Sequence, residues 1–471
     1  HYRDLVQQLD ASGRIALAAR AREKLGALLS DLARFDEARA MLERALWAYR
    51  LSGDQDGMLA VMARIGQVYG ATGAADEGIA RLQQALRELD TSQPSPGLAA
   101  LYATLADLHY FRDQYHEQLA AAERAEDAAR AISDGRMLAA AAKERGLALL
   151  NLGRVREARA VLREAVTLAE AASDLWTLSF ALRGLSVVHV ARGELDEGYR
   201  MAQRAMECAQ LSGAPTMMAL AAQRRSTVAY FLGRWDEARA DGERAAALLD
   251  QIGPSLTRLY PLLILGRLDL SQGQVETARA HLREAITLAE RSGNIYGLRA
   301  AHSTLAELDL LEGDPAAARA RLETLLDRPG LQEGDVIALL ILLAWACVDL
   351  GDEQQAADFL AQSEARAAPE RMRATLVDTL RVRALLALRQ RHWQAAEDAL
   401  AESLALAQSI AYPYAEAKAL HIYGLLHIHR GQRDRARTRL EAALAIFNRL
   451  GERLYAAQAE RALAALRERS A

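Results

Sequence analysis

The sequence predicts an all-α solenoid, about eleven stacked helical hairpins closed by a C-terminal capping helix. Three observations predict it. Half of the 471 residues are hydrophobic (51%) but only 5% are aromatic, so the apolar half is aliphatic, chiefly Ala and Leu, which are strong helix formers and poor strand formers. Small residues recur in register: Gly26, Gly66, Ala106, Gly146, Ser186, Ser226, Gly266 and Ala306 stand 40 apart, Ala344 follows after 38, and Ala384 and Gly424 resume the spacing of 40. Seven positions after most of these lies a turn former: Gly73, Asp113, Gly153, Gly193, Gly233, Gly273, Gly313, Gly351 and Gly431, with Ala33 and Arg391 as exceptions. Length alone would suggest three domains of roughly 150 residues, whereas a repeat chain grows by adding units.

Taken in order, residues 1–13, with Tyr2, Leu5, Val6 and Leu9, read as the second helix of a preceding unit, so the chain is expected to begin inside a longer array. Eight hairpins are expected over 14–330. In each, the first helix carries the small row and ends at the turn former, where a glycine adopts the left-handed conformation. The second helix carries another mostly small row (Ala38, Gly78, Gln118, Ala158, Gly198, Ala238, Ala278, Ala318, Ala356, Ala396, Ala436) and, four later, a mostly leucine row (Leu42, Leu82, Ala122, Leu162, Ala202, Gly242, Leu282, Leu322, Leu360, Leu400, Leu440). Small residues let the two backbones approach, and the leucine row is expected to bury against the next pair. Breakers at 51–54, 90–97, 212–215, 253–255 and 292–294 separate the units. Pro261 is misplaced, inside a first helix, and predicts either a kink or a late start. The 38-residue step coincides with 327–330 and 333–334, marking a bend or a subdomain border; three further units then occupy 331–452, and 453–471 form the cap that a solenoid needs over its last apolar face.

Charge and motifs exclude several functions. The net charge is −4 and no run of five or six like charges occurs, so direct nucleic-acid binding is not expected. The longest apolar run, 336–348, is too short for a bilayer span of about 20 residues; it reads as a buried helix, and no membrane partner is expected. Cys208 and Cys347 lack metal-type spacing and read as core residues of a cytoplasmic protein. Phosphate-binding glycine loops, dinucleotide fingerprints, His-Glu-x2-His and Gly-x-Ser-x-Gly are absent, so no catalytic residue, cofactor or metal is expected. His421, His427 and His429 are spaced by six and two, which does not place them on one helical face. All but three of the 58 basic residues are arginine, a bias that genome composition or a thermophilic source would each explain.

The segment Ile65-Gly66-Gln67-Val68-Tyr69 with Gly78 and Leu82, and Leu25-Gly26 with Ala38, Leu42 and Ala45, resembles the tetratricopeptide repeat over about 14–452. The period of 40 departs from the family's usual value of about 34, the closing proline is usually missing, and Arg145 and Arg225 replace the leucine before the small residue. Each of these arginines should therefore find a carboxylate or carbonyls. Long-helix repeats of this kind resemble the C-terminal sensor superhelices of bacterial STAND signal-transduction ATPases, including maltose-regulator-type transcription activators. That resemblance implies a right-handed superhelix without enzymatic activity, a protein or peptide partner or a small-molecule inducer on its concave wall, regulation of an ATPase module on the N-terminal side, and oligomerisation through the full-length protein. A passive assembly scaffold and a substrate-binding extension of an enzyme are the competing readings.

The same resemblance points residues three before and one after the small row inward. The candidate binding residues are Lys143, Arg183, Gln223, Arg267, Glu307, Ile341, Trp345, Arg381 and His421. Lys143, Arg183, Gln223 and Arg267 form a polar ladder able to meet carboxylates or phosphates through forked hydrogen bonds; the plainer alternative is a solvated wall paired with Glu144 or Glu307. The helix over 336–348 is apolar all round, so Ile341 and Trp345 require a cover, either the opposite wall, an apolar ligand or a partner segment.

Overall fold

The computed structural model describes residues 2–32, 34–252, 256–326 and 334–468, and among these every regular element is helical. A short α1 (Tyr2–Ala11) precedes eleven hairpins. Their first helices are α2 (Ile15–Asp31), α4 (Gln55–Thr72), α6 (Pro96–Phe111), α8 (Gly135–Asn151), α10 (Leu175–Ala191), α12 (Pro215–Phe231), α14 (Leu259–Ser271), α16 (Ile295–Glu312), α18 (Val336–Leu350), α20 (Arg373–Arg389) and α22 (Pro413–His429). Their second helices are α3 (Phe35–Ser52), α5 (Ala75–Glu88), α7 (Tyr115–Ala131), α9 (Val155–Ala171), α11 (Leu195–Ser212), α13 (Trp235–Ile252), α15 (Val275–Ser292), α17 (Pro315–Leu326), α19 (Glu353–Ala367), α21 (Trp393–Ser409) and α23 (Arg433–Leu450). First helices touch one another from unit to unit and form the inner layer, with the second helices outside them. α24 (Leu454–Glu468) lies against α22 and α23, where the next first helix would stand.

The rows have a specific packing cause. A Cβ added to Gly26, Gly146 or Gly424 would come within 2.7, 2.6 and 2.5 Å of Cγ of Leu42, Leu162 and Leu440. The leucine of the second helix thus fills a notch in its own partner helix, rather than serving only the next pair as expected. Leu162 does both, since it also closes on Gly184 of the following hairpin. Each fully buried leucine contributes about 2 kcal/mol. Where the small residue is serine, a hydrogen bond replaces the plug: Ser186 Oγ donates to Gly198 O at 2.8 Å and Ser226 Oγ to Ala238 O at 2.5 Å. The leucine position is then Ala202 or Gly242.

Turns follow the expected chemistry. The described members of the turn row have φ between +53° and +86°, including Asp113 and the exception Arg391, whereas Ala33 lies outside the described residues. Unit junctions pair a left-handed residue with an Asx cap: Gly53 precedes Asp54, which caps Gly57 N at 2.9 Å, and Gly293 precedes Asn294, which caps Gly297 N at 2.6 Å. Pro261 marks a late start, with a 3₁₀ turn at Leu256–Arg258 and α14 beginning at Leu259, so proline sits in the first helical turn where no N–H is needed. The breaker at 253–255 and the step at 327–333 lie outside the described residues.

The superhelix is wound so tightly that its turns touch. Hairpin turns of units three to seven meet unit junctions much later in the chain. Arg112 Nη1 donates to Ser292 O at 2.7 Å, Asp113 accepts from the N–H of Ile295, Gly334 N donates to Asn151 O at 3.0 Å, and Arg156 N to Glu370 at 2.9 Å. Gly193 meets Ile410 and Arg373, Gly233 meets Pro413 and Leu450, and Arg453 N donates to Ser271 O at 2.9 Å. The cap joins in, with Tyr455 donating to Glu307 at 2.9 Å.

Gly193 and Gly213 both have positive φ, but a Cβ at Gly193 would lie 2.5 Å from Ile410 Cγ2 while one at Gly213 meets nothing within 4 Å. Gly213→Ala is expected to cost about 1 kcal/mol for backbone strain; Gly193→Ala should cost about 1–3 kcal/mol more, for overpacking the contact between turns. Urea denaturation measures both. Equal losses would mean that this contact adds nothing to stability.

Candidate functional site

The inner helices bring two groups of polar and aromatic side chains to the axis. The first is built on α6, α8, α10, α12, α14 and the start of α16. Lys143 pairs with Glu144, which also accepts from Gln118 Nε2 at 3.0 Å. Asp107 faces this pair, and burial together with the Glu144 charge pushes its carboxyl up to about 7 despite Lys143. Arg183 lies over the Phe180 ring at 4.9 Å, and Gln223 Nε2 donates to Thr227 Oγ1 at 3.0 Å, within its own helix. Tyr110 and Tyr260 are electrostatic neighbours, and the rings of Tyr260 and Tyr296 stand 6.4 Å apart. Most of these inner side chains are half-buried, and Tyr296 is 41% exposed, so this part of the axis is open to solvent.

The second group is closed. Lys418 Nζ lies 3.6 Å from Glu307 and 3.3 Å from Asp378, and Arg381 Nε donates to Asp378 at 3.0 Å. Arg381 also stacks on Trp345 at 4.8 Å and Lys418 on Tyr414 at 4.8 Å. Burial tends to raise Asp378, but Lys418 and Arg381 pull it down to about 2. Burial, reinforced by Arg381, holds His421 down to about 4 and therefore neutral at pH 7. Arg267 bridges the two groups, over the Tyr230 ring at 5.5 Å and near the Glu307 charge.

Of the candidate residues, Lys143, Arg183 and Gln223 come together in the open group, and Glu307, Trp345, Arg381 and His421 in the closed one. The ladder is interrupted, because Lys143 is neutralised by Glu144. Ile341 and Trp345, 5% and 8% exposed, have their cover from the protein's own side chains. Arg145 and Arg225 meet the carboxylates expected for them: Glu126 at 2.7 Å, and Asp241 through two bonds of 2.6 Å. Arg224, Asp378, Lys418 and the axial tyrosines were missed. A row four after the small residues, containing Tyr110 and Tyr230, could have signalled the aromatic lining, but Arg224 had no such signal beside Gln223. His427 bonds Gln432 rather than joining His421. Among the described residues no group of three His, Cys, Asp or Glu could hold a metal, and no helix is long and apolar enough to cross a membrane.

The sequence matches the family model of the MalT-like TPR region over residues 115–415, well over half the chain. No curated protein matches it. Among solved structures, a Rap protein complexed with competence and sporulation factor is similar with a TM-score of 0.58 at 15% identity, covering 75% of this chain and 99% of that one. The APC/C hetero-tetramer Cut9-Hcn1 gives 0.44 at 14% identity, over 99% of this chain and 95% of that one. A tetratricopeptide repeat protein from Parabacteroides merdae gives 0.37 at 15% identity, over 59% of this chain and 99% of its own. At these identities the likeness concerns the fold.

Two predictions follow from the closed group. Subtracting the emission of Trp345→Phe from that of the wild type should leave a blue-shifted spectrum several-fold less sensitive to acrylamide than free indole. Free quenching would mean that Trp345 is not covered internally. Because Asp378 titrates lower when folded than its unfolded value of about 3.9, its stabilisation is complete above pH 4 and fades as pH falls towards 2. Asp378→Asn should cost about 2–3 kcal/mol at pH 7, and urea titrations should show its gap from the wild type closing below pH 4; a gap independent of pH rejects the assignment.

Proposed function

This chain belongs to the MalT-like TPR family, and we propose that it is a non-enzymatic recognition superhelix whose inner wall takes a protein or peptide segment, or a small inducer, and passes its bound state to an attached nucleotide-switch ATPase of the STAND class. The observation that carries this reading is the contrast along the axis: the inner wall of units three to seven is lined by half-buried Arg183, Gln223, Arg224, Tyr110 and Tyr260, while the wall beyond it is filled by its own side chains. Half-buried arginine and tyrosine are the residue types that dominate binding energy at protein interfaces. The open group therefore provides the docking wall, with Lys143 and Arg267 at its borders, and Glu307, Ile341, Trp345, Arg381 and His421 form its supporting floor. The Rap protein of similar fold was crystallised with competence and sporulation factor bound, which supports a ligand-binding role for this type of superhelix.

The reading supposes a bacterial, cytoplasmic signalling protein in which ligand favours one winding of the superhelix over another. Capture from cell extract by the wild-type chain, compared with Gln223→Ala and Tyr260→Ala, tests it. A ligand retained by the wild type and weakened at least tenfold in both variants is expected. Equal retention by all three would remove the inner wall from binding. A full-length gene product with no nucleotide-binding module would leave the scaffold reading in place of the sensor.

A further inference from the structure

Most recessed arginines of this protein hold a carboxylate. Arg145 has Glu126, Arg225 has Asp241, Arg239 has Asp269, Arg321 has Asp309, and Arg381 has Asp378. Among the described residues, Arg267 has no ion pair but has the Glu307 charge nearby, whereas Arg183 and Arg224 have no carboxylate. Neither forms an ion pair with any described residue; the electrostatic neighbours of Arg183 are Tyr110 and Tyr260, and those of Arg224 are Tyr296 and Arg183 itself. Arg183 Nε is buried without a hydrogen-bond partner. Arg224 Nε donates to Ser186 Oγ at 3.2 Å. The two guanidiniums, on adjacent inner helices, feel each other: burial first, and then Arg183, bring Arg224 down to about 10, so that both remain charged at neutral pH.

Nearby acids are committed elsewhere. Lys143 holds Glu144, Asp113 accepts from Tyr115 Oη at 2.7 Å and from the N–H of Ile295, and Asp335 pairs with Arg299 at 3.2 Å. Three phenols complete the surroundings. Burial pushes Tyr110 and Tyr260 above their ordinary range, and at neutral pH all three phenols are O–H donors. Two like charges held together in a half-buried recess repel each other unless an anion joins them, and a guanidinium fork presents paired N–H groups that match the oxygens of a carboxylate or a phosphate.

We propose that Arg183 and Arg224, with the phenols of Tyr110, Tyr260 and Tyr296, form a binding site for an oxyanion, the carboxylate or phosphate group of a ligand held in the open part of the axis. This rests on the inner wall being the binding surface, and it specifies the chemistry recognised there. Lys143, already paired with Glu144, is not part of the site.

Sodium phosphate and sodium acetate, titrated at constant ionic strength with thermal unfolding as readout, test it on the intact chain. The wild type should gain several degrees in Tm, with the stronger of the two anions identifying a phosphate or a carboxylate ligand. Arg183→Gln and Arg224→Gln should each weaken the response at least tenfold. Both should fold, because each relieves a like-charge contact, and a wild-type or higher Tm without anion checks this. Arg204→Gln, at an exposed arginine paired with Glu170, should respond like the wild type. No shift in the wild type, or equal shifts in all four proteins, overturns the site. If Gln223→Ala loses a captured ligand while neither anion acts, the anion site falls and the inner-wall reading stands.

Discussion

The structure depends on one contact made over and over, the insertion of a second-helix leucine into a notch on the first helix of its own hairpin. At Gly26, Gly66, Gly146, Gly266 and Gly424 the notch has no Cβ, and a leucine carbon would lie 2.5–2.8 Å from one. The opposing residues are Leu42, Leu82, Leu162, Leu282 and Leu440 without exception. Where the notch is serine, at Ser186 and Ser226, the opposing residue is Ala202 or Gly242 and the hydroxyl binds a backbone carbonyl. Volume is thus conserved across the helix pair, as close-packed interiors require. The aliphatic, aromatic-poor composition follows from this requirement repeated through eleven units.

That local rule made the hairpins legible from sequence alone. Helix ends, turn row and cap all follow from residue types within one period, and the structure departs only in detail, as where Pro261 delays α14. The closure of one superhelical turn on the next was not legible, because it joins residues such as Asp113 and Ile295, or Gly193 and Ile410, that share no period and no motif. The small cumulative rotation from unit to unit decides which edges meet. No sequence row encodes that angle. Gly193 and Gly233 illustrate the difference: their left-handed conformation is readable from the turn position, but their second duty, admitting Ile410 and Pro413, is visible only in the assembled coil.

The site was partly legible for the same reason. Positions relative to the small row predict Lys143, Arg183, Gln223 and Arg267 on the inner wall, and all four lie on first helices, the inner layer. Their pairing state could not be read. Glu144 neutralises Lys143 from the adjacent position of the same helix, whereas Glu307, Asp378 and Lys418, of units eight, ten and eleven, are brought together only by the winding of the coil. Sequence periodicity gives the direction of a side chain; the winding decides its company.

These two levels meet in the middle of the chain. α10 and α12 carry Arg183 and Arg224 on their inner faces, and the turns that end these same helices, at Gly193 and Gly233, grip the edge of units ten and eleven. Beyond the grip, the axis is locked by Lys418, Asp378, Arg381 and Tyr455. A ligand drawing the two guanidiniums together would rotate α10 against α12, and because each helix is tied to its own partner helix by the Ser186 or Ser226 hydrogen bond, that rotation would be taken up at the contacts between turns. Interfaces of packed helices respond to such shifts by repacking rather than bending. On the proposed reading, the half of the axis with unpaired arginines lies where binding energy would change the winding, and the saturated half lies where it would resist.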